Sequence, residues 1–175
     1  MKTLLATLSL ALIAQSALAA EKTKRHQGAW YAVQYPANFT VSEEIKSASA
    51  GNDAYDSARF TSPDGKVTFY VYSPQWGGEA SNIALRPGER EISRESKKRK
   101  EQIGETTLIL WTIEAPDGRR RSYEETRTGA DGGMNWILGI EYADEASLQQ
   151  YRAQYLNFKK SLEQFADGYD GEDSE

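Results

Sequence analysis

The chain has 175 residues, 21 basic and 26 acidic, with a formal net charge of −5, no cysteine and a single histidine, His26. Without a thiol it can form no disulfide, thiolate nucleophile, zinc-thiolate site, haem c linkage or cysteine lipid anchor. His26 falls in the polar stretch expected to precede the fold, so the usual base for a serine nucleophile is not expected in the domain, and the acidic balance argues against nucleic acid as a partner.

Lys2 precedes an apolar run over residues 4–13, and Ala17-Leu18-Ala19 supplies small residues at its exit. That order predicts a signal peptide over 1–19, cleaved after Ala19. The run is shorter than the roughly 20 residues a bilayer span needs, so it gives no transmembrane anchor. Secreted eukaryotic domains usually carry disulfides, so export without cysteine favours a Gram-negative periplasm. Residues 20–28 read as a flexible leader carrying His26, residues 29–166 as one domain, and residues 167–175 as a disordered acidic tail.

Residues 30–35 form an aromatic, β-branched strand that Pro36 stops, because proline cannot donate to a ladder. A brief strand over 39–41 and a polar loop over 47–56 follow. Asn38-Phe39-Thr40 matches the glycosylation sequon, a triplet that arises often by chance. Residues 58–61 and 67–72 flank Ser62-Pro63-Asp64-Gly65. Proline presets the first turn angle and glycine accepts a positive φ, so this is a hairpin. Residues 73–88 are a long connection, with a short helix expected over 79–85. Residues 89–101 are almost wholly polar and suit either a solvated helix or a sheet-edge strand facing water; the alternation of Arg90, Ile92 and Arg94 favours the strand. A second hairpin follows, with strands over 108–113 and 119–128 around Ala115-Pro116-Asp117-Gly118. The turn at 129–133 leads into an apolar strand over 134–142, and repeated hairpins indicate an antiparallel sheet. Leu148, Tyr151, Tyr155, Phe158, Leu162 and Phe165 then recur at helical spacing, predicting a helix over 144–165 capped by Asp144.

Few residues suggest chemistry. Glu124, Glu125, Glu141 and Glu145 are candidates for carboxylate catalysis by type only, because strand neighbours point to opposite faces. The acidic tail does not fit the spacing of a calcium loop. No catalytic residue, cofactor or metal site is assigned. The strongest charge feature is Lys97-Lys98-Arg99-Lys100, within residues 86–100, which hold seven basic and three acidic residues; Arg119-Arg120-Arg121 adds a basic turn. Together with Arg94, the four form a candidate partner-binding patch for an anionic surface or an acidic protein. The same lysines also suit a solubilised sheet edge, and the acidic tail is a candidate to fold back on them. Trp76, between glycines in the long connection, reads either as an exposed interface anchor or as a lid on the sheet. Trp30, Trp111 and Trp136 read as core.

Tyr35-Pro36-Ala37-Asn38-Phe39 after an aromatic strand, the hairpin over 60–72, the two P-D-G turns and the closing helix with Lys160-Ser161-Leu162-Glu163-Gln164-Phe165 resemble the PsbP-like group. That group is named for an extrinsic photosystem II protein and is related in structure to a Ran-binding protein. The resemblance implies an α/β/α sandwich with a central antiparallel sheet, and members that act as accessory or binding proteins. It carries over no binding residue, since no site motif of the group falls at a matching position.

The expectation is therefore an α+β domain, a central antiparallel sheet with a long C-terminal helix on one face. Its expected role is an exported, non-enzymatic periplasmic binding module for a protein or envelope component. Two alternatives are a small-ligand or lipid carrier, with a pocket between sheet and helix near Tyr151 and Tyr155, and a carboxylate-dependent hydrolase.

Overall fold

The two P-D-G turns fold as their residues dictate. Asp64 Oδ1 accepts hydrogen bonds from the Ser62 hydroxyl at 2.6 Å and the Lys66 amide at 3.1 Å, and Gly65 takes a φ of 66°. Asp117 Oδ1 accepts from the Arg119 amide at 3.1 Å, and Gly118 takes a φ of 84°. Such positive angles are open to glycine at little cost.

The computed structural model describes residues 22–51, 53–75, 82–101, 104–129 and 135–165. In chain order the elements are β1 (Thr23–Gln27), β2 (Tyr31–Pro36), β3 (Thr40–Glu43), β4 (Ser57–Thr61), β5 (Val67–Tyr72), β6 (Arg90–Glu101), β7 (Gly104–Glu114), β8 (Arg120–Thr128), β9 (Asn135–Tyr142), α1 (Glu145–Lys160) and β10 (Glu163–Gln164). Seven strands make the main sheet in the order β3-β4-β5-β9-β8-β7-β6, and β1-β2-β10 make a small one. Every pairing is antiparallel. This is the α+β architecture with a single C-terminal helix among the described residues.

Alternation along the strands builds two cores. On the helix face, Phe60, Phe69, Val71, Leu138 and Ile140 meet Tyr31 and Val33 of β2 and Tyr151 and Phe158 of α1. The Phe158 ring lies 5.3 Å from those of both Phe60 and Phe69. On the opposite face, Tyr70, Tyr72, Ile113, Tyr123 and Ile137 pack with Ile83 from the long connection. Gly139 makes that second core possible, since a Cβ there would sit 2.5 Å from the Tyr123 ring. Trp30, Trp111 and Trp136 are half-buried at the margins rather than central.

Helix α1 starts where the sequence places it. Asp144 Oδ1 accepts from the Ser147 amide at 2.7 Å and the Ser147 hydroxyl at 2.8 Å, a side-chain cap on an otherwise unsatisfied N–H. It ends earlier than its periodicity predicts, at Lys160. Ser161 Oγ accepts the Gln34 amide of β2 at 2.8 Å, and the chain then pairs with β2 through Glu163 and Gln164. Leu162 still packs against the core after the helix has ended, which is why the stripe runs on past α1.

The leader is also corrected. Residues 23–27 are not loose chain but strand β1, paired along its length with β2. His26 packs against Phe60 at 5.4 Å, its side chain 11% exposed, so it belongs to the fold. Of the short helix expected over 79–85, residues 82–85 form a turn and bend rather than helix, and residues 79–81 lie outside the described residues. Residues 1–19, expected to be a signal peptide, together with Trp76 and the acidic residues 167–175, lie outside the described residues.

Candidate interaction surface

The main sheet is wider than its cover. On the helix face α1 lies over β5 and β9 and against β2, leaving β8, β7 and β6 to project beyond it as a wing. The register defines its rows. Lys97 stands opposite Leu108 and Leu108 opposite Thr126, which faces Trp136; Glu95 stands opposite Leu110 and Leu110 opposite Glu124, which faces Leu138. Leu108, Leu110 and Trp136 are half-buried, and Leu156 of α1 is 42% exposed. Where the wing meets the helix, a shallow cavity of about 430 Å³ is lined by Thr126, Trp136, Leu156, Lys159, Lys160 and Leu162 among others. An ion pair between Lys159 and Glu124 ties α1 to β8 at its floor.

The rim of the wing is β6, the last strand of the sheet. Arg94, Lys97, Lys98, Arg99 and Lys100 all lie on it and all are exposed. The structure brings the five predicted residues onto one strand but not onto one face. Successive strand residues alternate, so Lys97 and Arg99 fall on the helix face while Arg94, Lys98 and Lys100 fall on the opposite face. There the Arg94 guanidinium lies 4.8 Å above the Trp111 ring, and Lys98 Nζ meets Glu105 at 2.6 Å. On the helix face Lys97 Nζ is 3.6 Å from Glu95. Exposed pairs of this kind contribute little stability. The register shifts at Ile92, a bulge that ends the regular ladder on one side of the basic run.

The three arginines of the second turn do not act as one patch. Arg120 pairs with Glu114 at 3.0 Å, and Arg119 lies 3.7 Å from Asp117. Arg121 instead turns into the opposite face, where its side chain is 4% exposed and that of Glu89 is 5% exposed. Arg121 Nε donates to Glu89 Oε1 at 3.0 Å, Nη1 to the Tyr123 hydroxyl at 2.9 Å, and Nη2 to Glu89 Oε2 and, at 3.2 Å, to the Ala84 carbonyl. Burial acts to raise the Glu89 carboxyl, but the Arg86 amide and the Arg121 guanidinium outweigh it and hold Glu89 below the usual range.

The network continues beyond that pair. The Tyr123 hydroxyl donates to Glu141 Oε1 at 3.1 Å, and Arg59 bonds both Glu141 and Glu44 at 2.6 Å. Burial alone would discourage the Arg59 charge; the two carboxylates beside it raise its pKa instead. These ions anchor residues 82–89 to the sheet. Sequence reading missed the network: Arg121 lies two residues before Tyr123 and so on the same face of β8, and Arg59 lies on the face of β4 opposite Phe60, so both face the second core. The candidate carboxylates are spread out: Glu124 faces α1, while Glu125 and Glu141 lie on the other face bonded to Arg127 and Arg59. Tyr151 and Tyr155 pack in the helix-face core. A cavity of about 250 Å³ between β2 and α1 is lined instead by Thr23, Gln34, Tyr35, Pro36, Gln154, Asn157 and Phe158.

No protein-family model matches the chain, and no curated protein matches its sequence. Among solved structures it is similar to the solution structure of cyanobacterial PsbP (CyanoP) from Synechocystis sp. PCC 6803. The two share 14% identity over 88% of this chain and 99% of that one, with a TM-score of 0.47. The likeness is one of fold alone.

Proposed function

We propose that the chain is exported to the periplasm with residues 1–19 removed, and that it works there as a non-enzymatic binding module. The wing is its docking surface, and the partner is an acidic protein or envelope component. The observation that carries this reading is the overhang of β6, β7 and β8 beyond α1, half-buried along β7 and the helix face of β8 and fully exposed along the β6 rim, where Arg94 and Lys97 to Lys100 lie. Basic side chains on an exposed rim attract and orient an acidic partner while adding little to the fold itself. Glu89, Glu124, Glu125 and Glu141 are engaged in ion pairs, which suits a scaffold.

The test compares the mature chain with a K97E/K98E/R99E/K100E variant, each immobilised and washed with detergent extract of the producing cell's envelope. One partner retained by the first and lost by the second, in a salt-dependent way, is the expected result. Equal retention by both, with circular dichroism showing both folded, refutes the assignment of the wing.

A further inference from the structure

The reading of the wing as a docking surface leaves open how a partner engages it, and β6 is specific on that point. Among the described residues β6 has a strand on one side only, β7, and its other side is the edge of the sheet. The ladder with β7 runs without interruption from Ser93 to Glu101 once past the shift at Ile92. Residues 93–100 therefore offer a straight edge roughly 27 Å long at the usual rise per residue. An edge strand presents a row of unpaired backbone donors and acceptors, a ready template for one more strand.

We propose that β6 accepts an added strand from a partner protein, an extended segment in which Asp and Glu recur on both faces. Charge decides the occupant. Residues 93–100 hold five basic side chains and one acidic, and the strand divides them between the two faces of the sheet. A segment lying in the plane of the sheet meets both sets at once, with acidic residues opposite Lys97 and Arg99 on one face and Arg94, Lys98 and Lys100 on the other. A lipid surface laid on either face meets only one set. A second copy of β6 centred on Lys97 and Lys98 sets lysine against lysine, and like charges directly opposite destabilise a pair. Backbone bonds would hold the added strand, and the alternating basic side chains would select it.

The probe is a fluorescent twelve-residue peptide repeating Glu-Glu-Thr-Val, which sets Glu on both faces of a strand, together with a twin N-methylated on alternate residues along one edge. The twin keeps the charge but cannot form the ladder through that edge, so two twins methylated on opposite edges are used. Anisotropy should show the parent binding and at least one twin binding about tenfold more weakly. Hydrogen exchange should slow at amides of β6, and the K97E/K98E/R99E/K100E variant should lose the peptide while keeping its melting temperature.

Binding of the parent and both twins with equal affinity overturns strand addition, yet leaves the wing a charged docking surface. Failure of the parent to bind at about 1 mM, whether or not vesicles containing phosphatidylglycerol bind, also overturns the proposal. A partner lost from the charge-reversed chain in the envelope experiment keeps the broader reading alive in either case, so the two claims fail separately.

Discussion

Replacing Arg121 by methionine should be among the most damaging single changes in the molecule. The substitution removes the guanidinium from a site where its side chain is 4% exposed and strands a Glu89 side chain that is 5% exposed. Four hydrogen bonds disappear, to both Glu89 oxygens, the Tyr123 hydroxyl and the Ala84 carbonyl. Glu89 keeps only the Arg86 amide at 2.7 Å. Breaking a buried pair from one side costs about 3–5 kcal/mol, because a charge is left without its partner. For a domain of this size that corresponds to a fall in melting temperature of roughly 10 °C. Removing both charges in E89L/R121M strands neither, so the double variant should recover to within about 1–2 kcal/mol of the parent. Urea unfolding followed by tryptophan fluorescence measures all of these states. A single variant that loses less than about 1 kcal/mol, or a double variant worse than the single, would refute the claim that this pair is closed from water.

Other consequences are independent of that pair. Gly139→Ala drives a Cβ to within 2.5 Å of the Tyr123 ring, an overpacking that should cost about 2–3 kcal/mol by the same urea assay. Phe158→Ala opens a cavity between α1 and the rings of Phe60 and Phe69 and should cost about 3–5 kcal/mol. Burial lowers the pKa of His26, with Glu43 opposing the shift more weakly. A depressed histidine pKa means the unfolded chain takes up its proton first, so stability should fall as pH drops through about 6.5 and level off below the folded pKa. His26→Leu should flatten that slope between pH 7 and 5, and an unchanged slope would place the titration elsewhere. Intact mass of the exported product should correspond to a chain beginning at Ala20; a product retaining Met1 would contradict export by cleavage.

Much of the sheet was legible because its signals are local. The two P-D-G turns fix their hairpins within a few residues, while the alternation of Arg90, Ile92 and Arg94 only tilted residues 89–101 from a solvated helix toward a water-facing strand, and the ladder is in fact bulged at Ile92. What was not legible depends on distant partners. Residues 23–27 have a polar composition that says nothing of β2, so their pairing with it could not be read locally. The end of α1 depends on the Gln34 amide reaching Ser161, a contact across 127 positions. Arg121 looked like part of a basic turn because Glu89, 32 residues away, is invisible to local pattern. The candidate surface itself was half visible: the basic run stands out in the sequence, but its division between two faces requires the strand.

Site-specific photo-crosslinking in the producing cell tests the docking claim most directly. A photoreactive residue at Ser96 on the β6 edge is compared with one at Arg152, exposed on α1. The wing as docking surface predicts a discrete adduct from position 96, absent from position 152 and abolished by K97E/K98E/R99E/K100E. Adducts from position 152 alone, or the same adducts from both positions, would contradict it.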